Sequence, residues 1–192
     1  MEFAFDPTNL AFDEAAHEYR YDGVRFISVT RALRATGFIV AAHYTEQSRL
    51  RGEYVHKACA LLDEQDLHWE TLDPRLTPYV AAYQNFLGDT GFQPALMEFP
   101  VCHPVYRFAG TLDRVGKIAG RMALVDIKTG NQERWHALQL AAYAGCFKEK
   151  LDRYALYLGA DGKYSLSKPF TNPRDWNVFL SAVACANWQA SA

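Results

Sequence analysis

Two short apolar segments, each interrupted by one aspartate, flank a glycine step in the middle of the chain. They are Gly110-Thr111-Leu112-Asp113 and Leu124-Val125-Asp126-Ile127-Lys128, with Gly116 and Ala119-Gly120 between them. Alternation around such a step predicts two antiparallel strands and a tight turn. If Ala119-Gly120 is a two-residue loop, pairing the strands symmetrically about it sets Asp113 opposite Asp126. Both then lie on one face of the sheet, with Cβ atoms roughly 5 Å apart. Lys128, two residues beyond Asp126, projects from the same face. A three-residue loop with a bulge would shift that register.

Two carboxylates that close repel each other unless a cation sits between them or one takes up a proton. The neighbours Leu112, Leu124, Val125 and Ile127 predict burial, which raises the cost. Oxygen ligands of this kind suit a hard divalent cation such as Mg²⁺ or Mn²⁺. The plain alternative is a pair of salt bridges, Asp113 with Arg114 or Asp126 with Lys128. Neighbours along a strand point to opposite faces, which argues against the first of these.

The 192 residues suffice for one domain with a real core, and we read residues 1–192 as a single unit. Hydrophobic residues make up 49% and charged residues 22%, which places the chain among soluble globular proteins. No apolar run approaches the roughly 20 residues of a membrane span. The acidic, aromatic start Met1-Glu2-Phe3-Ala4-Phe5-Asp6 is unlike a signal or transit peptide, so a cytoplasmic location is expected. Cys59, Cys102, Cys146 and Cys185 are scattered without a Cys-x-x-Cys pair, which argues against a zinc site or a disulfide framework. Net charge is −2, but residues 25–57 carry six bases against two acids, and residues 114–174 eleven against five. A polyanion can find local positive surface there.

Along the chain, residues 17–29 predict a hairpin around Asp22-Gly23. Ser28 caps a short helix to Thr36, stopped by Gly37. A longer helix runs from Thr45 to about Leu62, with Arg49, Gly52, Glu53 and His56 on one face. Residues 63–76 read as a loop. Thr77-Pro78 opens a helix that ends near Gly88 or Gly91. A strand over 95–101 carries Glu98, and its Pro100 suggests an edge or a strand end. After the central hairpin come a helix over about 133–147, strands over 153–159 and 164–168, and a final helix from Asn172-Pro173 to about Gln189.

Four stretches in this order carry a family likeness: Arg51-Gly52-Glu53-Tyr54-Val55-His56, Gly110-Thr111-Leu112-Asp113, Asp126-Ile127-Lys128 and Gln139-Leu140-Ala141-Ala142-Tyr143. The chain resembles the PD-(D/E)XK nuclease superfamily, in the branch of RecB-type exonucleases that includes phage recombination exonucleases and the mitochondrial genome maintenance exonuclease. The resemblance implies an α/β restriction-endonuclease-like core, a mixed central sheet flanked by helices, here preceded by a β-hairpin. It implies hydrolysis of DNA phosphodiesters with Mg²⁺ or Mn²⁺, from strand ends, in recombination, repair or phage replication. Asp113 and Asp126 would bind metal, with the Ile127 carbonyl as a further ligand and His56 as another reaching in from its helix. Lys128 would contact the attacking water or the scissile phosphate. Glu98 would serve a second metal or support the first, and a surface glutamate is its plain alternative. Gln139 and Tyr143 would orient the lysine and touch DNA; otherwise they are a helix face with an interfacial tyrosine. Arg49 and Arg51 are candidate phosphate contacts, or a solvated helix face.

The implied partners are single- or double-stranded DNA with free ends and a recombination or replication protein, with no membrane. Only Cys146 and Cys185 follow the last motif, so no iron–sulfur cluster is expected. Two rival classes share the fold. A DNA-binding or scaffold protein without catalysis is disfavoured by the intact Asp113, Asp126 and Lys128. A sequence-specific endonuclease would need further elements to grip a duplex from both sides.

Overall fold

The computed structural model describes residues 1–40 and 45–190; the basic segment 25–57 is therefore described apart from residues 41–44. Eight strands join in one mixed sheet: β1 (Leu10–Asp13), β2 (Glu18–Tyr21), β3 (Val24–Ser28), β4 (Gln93–His103), β5 (Phe108–Ile118), β6 (Arg121–Lys128), β7 (Asp152–Leu158) and β8 (Tyr164–Leu166). The helices are α1 (Val29–Ala35), α2 (Glu46–Asp63), α3 (Thr77–Thr90), α4 (Trp135–Ala144) and α5 (Arg174–Ala190).

The central hairpin has the expected two-residue loop. Ala119 and Gly120 both take positive φ, +49° and +78°, the twist that a tight hairpin turn requires. The ladder runs from Ile118↔Arg121 to Arg114↔Val125, the register with Asp113 and Asp126 in opposing positions. It stops one pair short of them.

The reason lies in what borders β5. On one edge β4 pairs with it along nearly its whole length, as the outer strand where Pro94 and Pro100 are tolerated. On the other edge β5 meets two strands in turn. Parallel β3 pairs at Phe108 and Ala109, and β6 begins at Arg114. Residues 110–113 have no strand partner on that edge among the described residues, and this gap is where the sequence motif sits.

Helices cover both faces. Ala32 and Leu33 of α1, Leu138 and Leu140 of α4, and Phe179 and Val183 of α5 pack in one cluster with Leu112, Val115 and Leu124. Val55 and Cys59 of α2 and Tyr83 and Phe86 of α3 pack in the other with Val125 and Ile127. Leu124 and Val125 thus divide between the layers, as strand alternation demands.

Local signals explain the helix ends. Ser28 Oγ accepts the Arg31 N–H, and Thr45 and Ser48 cap α2 reciprocally. α3 differs slightly from expectation: Leu76 takes the capping position and Thr77 lies inside the helix, while Gly91 ends it at φ +63°. Ahead of the expected hairpin, β1 pairs antiparallel with β2 and adds a strand to it.

Candidate active site

Where β5 and β6 part, the Asp113 side chain fills the opening. Its Oδ2 accepts the Ile127 N–H at 2.6 Å, in place of a ladder bond. That fixes the carboxyl, with Oδ1 turned toward His56 Nδ1, 3.6 Å away. His56 enters from α2, and its Nε2 lies 3.0 Å from the Ile127 carbonyl. Both bonds to the Ile127 backbone orient the residues they reach. The carbonyl itself is engaged by the imidazole, and its expected part in metal binding would require that bond to give way.

Glu98 completes the group from β4. Its Oε1 is 3.5 Å from His56 Nδ1. The ladder pairs on either side, Met97↔Arg114 and Phe99↔Leu112, place Glu98 opposite Asp113. Glu98 itself stands at φ +43°, a left-handed conformation unusual for a glutamate inside a strand. His56, Glu98 and Asp113 each present one ligand atom, and these atoms lie within 4.8 Å of one another.

Asp126 is fully buried beside this group. Lys128 Nζ lies 2.6 Å from its Oδ2, yet neither carboxylate oxygen has a partner in hydrogen-bond geometry among the described residues. The salt bridge weighed for Asp126 and Lys128 therefore exists, and it leaves the carboxylate incompletely satisfied. The one weighed for Asp113 and Arg114 does not form; Arg114 turns to Asp63 and Glu98 instead.

Lys128 Nζ also donates to Gln139 Oε1 at 2.9 Å, and Gln139 Nε2 donates to the Tyr143 hydroxyl at 3.2 Å. Tyr143 in turn lies on Gly110: a Cβ there would stand 2.7 Å from the ring. The Trp135 ring centre lies 5.2 Å from Lys128 Nζ, next to His136; neither residue was expected at the site. His136 Nδ1 meets the Tyr157 hydroxyl at 2.9 Å, and burial pushes its pKa down to about 3, so it is a neutral support.

Burial raises the Asp113 pKa first. His56 opposes this, Asp126 and Glu98 add to it, and the result is about 7. For His56 burial alone would lower the pKa; Asp113 and Glu98 outweigh it and raise the value to about 9. The cluster thus holds protons that an exposed aspartate and histidine would have released.

Arg49, Gly52, Glu53 and His56 share a face of α2, as expected, and border a cavity of about 940 Å³ with Phe12 and His17. Arg51 turns the other way, to a cavity of about 250 Å³ that it borders with Ser48, Lys128, Thr129 and Trp135. Both cavities reach Gly52 and His56. A Cβ at Gly52 would meet only Thr129 Oγ1, at 3.8 Å, so no neighbouring protein atom demands a glycine there.

A mixed sheet with helices on both faces, and carboxylates and a lysine where two strands part, defines the restriction-endonuclease-like core. A family model for the PD-(D/E)XK nuclease superfamily matches residues 32–171, and the chain belongs to that superfamily. Among solved structures, an alkaline exonuclease from Laribacter hongkongensis superposes with a TM-score of 0.51 at 11% identity, covering 86% of this chain and 88% of that one. The same protein in complex with dAMP gives a TM-score of 0.47 at 12% identity, with the same coverage. This likeness is one of fold. No curated protein matches the chain by sequence. Among the described residues, no helix is long and apolar enough to cross a membrane.

Proposed function

We propose that this nuclease hydrolyses DNA phosphodiester bonds with Mg²⁺ or Mn²⁺ and works from strand ends. One observation carries the metal reading. His56, Glu98 and Asp113 converge within 4.8 Å beside a fully buried Asp126 whose oxygens lack hydrogen-bond partners among the described residues. Buried carboxylates without partners are costly, and a hard cation is the partner this oxygen-rich set fits. Asp113, Asp126, Glu98 and His56 would hold it. When bound, the ion supplies Lewis acidity toward the phosphoryl oxygens.

The chain's own groups have separate tasks. The Ile127 N–H aims Asp113, and the Ile127 carbonyl aims His56. Lys128 has three donors; one goes to Gln139, while Asp126 Oδ2 stands 2.6 Å away as an ion-pair partner outside hydrogen-bond geometry. Its ammonium would face the attacking water or the scissile phosphate, where it offsets charge that builds during the reaction. Gln139 and Tyr143 hold the ammonium from behind. Action on ends rests on the family likeness and on the named activity of the Laribacter protein.

The test uses end-labelled linear DNA and covalently closed circles, with Mg²⁺, Mn²⁺ or EDTA. Linear DNA should release mononucleotides in either metal, circles should survive, and EDTA should stop the reaction. Lys128→Ala and Asp126→Ala should each lower turnover by at least about 10²-fold with unchanged circular dichroism. Nicking of circles would replace the exonuclease reading with an endonuclease one. Comparable turnover by either folded variant would sink the site assignment.

A further inference from the structure

Behind the cluster, Arg114 is fully buried, and its guanidinium donates to two residues of the site and to Asp63 outside it. Its Nε donates to Asp63 Oδ2 at 2.7 Å, and its Nη1 donates both to Glu98 Oε1 at 2.8 Å and to the Asp113 carbonyl at 2.7 Å. The Tyr83 hydroxyl donates to both oxygens of Asp63 at 3.0 Å, and the guanidinium carbon lies 5.9 Å from the Tyr83 ring centre. Arg114 Nη2 has no hydrogen-bond partner among the described residues.

Each of the three clustered residues depends on this one side chain. Glu98 is held directly, through the same Oε1 that faces His56. Its left-handed backbone needs an external hold to persist inside a strand. Asp113 is held through its carbonyl. His56 is held at one remove: Asp63 is the last residue of α2, two turns beyond His56, so anchoring Asp63 fixes the end of the helix that presents the imidazole. A guanidinium is the group for this task. Its rigid fork reaches three acceptors in different directions, which a lysine ammonium on a flexible stem cannot do.

We propose that Arg114, anchored by Asp63 and Tyr83, is a positioning residue that sets Glu98, Asp113 and His56 at the spacing of a divalent-cation site. Its side chain is fully buried against Asp63 of α2 and Tyr83 of α3. The proposal rests on the metal reading above.

The experiment is calorimetric titration of the full chain with MnCl₂ after EDTA treatment, on wild type, Arg114→Lys, Glu98→Gln and the double variant, with melting temperatures taken separately. Arg114→Lys should weaken Mn²⁺ binding about tenfold or more, and excess Mn²⁺ should restore part of its lost turnover while KM for DNA holds. Because Glu98 is one of the three groups that Arg114 holds, the double variant should bind Mn²⁺ better than the product of the two single losses predicts. A purely structural role predicts a lower melting temperature with unchanged Mn²⁺ affinity, and that result overturns the proposal. Fully multiplicative losses in the double variant overturn it too. If Arg114→Lys does not fold, Asp63→Asn replaces it, with the same tenfold loss expected and unchanged affinity overturning. Failure of the wild type to bind Mn²⁺ would overturn the metal reading itself, and the proposal with it.

Discussion

At the scale of single residues, the site must settle its charge with protons whenever divalent metal is removed. Asp113 moves from an ordinary 3.8 to about 7 and His56 from 6.5 to about 9. Both folded values are raised, so between pH 4 and 9 the folded chain holds protons that the unfolded chain has released. Stability from these groups is complete at low pH and is lost as pH rises, through about 7 for Asp113 and about 9 for His56. Metal binding runs the other way, since it requires deprotonated ligands. With EDTA the melting temperature should therefore fall from pH 6 to 9, while the increment caused by millimolar Mn²⁺ grows over the same range. Scanning fluorimetry in matched buffers reads both. An increment that stays flat or shrinks with rising pH would remove Asp113 and His56 from the metal site.

At the scale of elements, Gly110 shows how a strand and a helix share one task. Tyr143 of α4 occupies the space where a Cβ would be, 2.7 Å from its ring, and connects through Gln139 to Lys128. Gly110→Ala should push Tyr143 aside and loosen the lysine. The expected result is a loss of about 1–3 kcal/mol in urea unfolding, together with a several-fold fall in kcat and little change in KM. An unaltered kcat would mean that the Tyr143–Gln139 link does not govern Lys128. The same elements mark what could be read in advance. Asp113 opposing Asp126, and Lys128 beside it, followed from a two-residue turn and strand alternation, which are local. So did the caps of α1 and α2. The parallel pairings of β3 with β5 and β6 with β7 carry no turn signal, because they join segments distant in the chain. The gap at residues 110–113 arises only from those pairings. Glu98 was placed on its strand, but its left-handed backbone leaves no mark in the surrounding residues. Arg114 was read merely as a charge next to Asp113; its reach to Asp63 depends on how α2 ends against the sheet.

At the scale of the whole molecule, charge must bring a polyanion to a protein whose net charge is −2. The basic bias of residues 25–57 was expected to supply the contact, with Arg49 and Arg51 as equals. Their surroundings make them unequal. Arg49 is exposed and already ion-paired to Glu46 at 2.7 Å and Glu53 at 3.1 Å, so a phosphate would compete with two carboxylates. Arg51 makes no ion pair among the described residues; its Nη2 donates to the Thr129 carbonyl and its Nε has no partner. It also borders the same cavity as Lys128, next to the reacting groups. Of the two, Arg51 carries the charge that no carboxylate already pairs among the described residues. Arg51→Ala should weaken DNA binding more than Arg49→Ala, measured in Ca²⁺ to hold off cleavage, and should do so about equally for unrelated sequences. It should also flatten the plot of log affinity against log salt by about one unit, the loss of one neutralised phosphate. Fluorescence anisotropy across a salt series separates the two variants. Equal slopes for both, or a larger loss from Arg49→Ala, would move the backbone contact off the Lys128 side of α2 and onto the larger cavity beside Phe12 and His17.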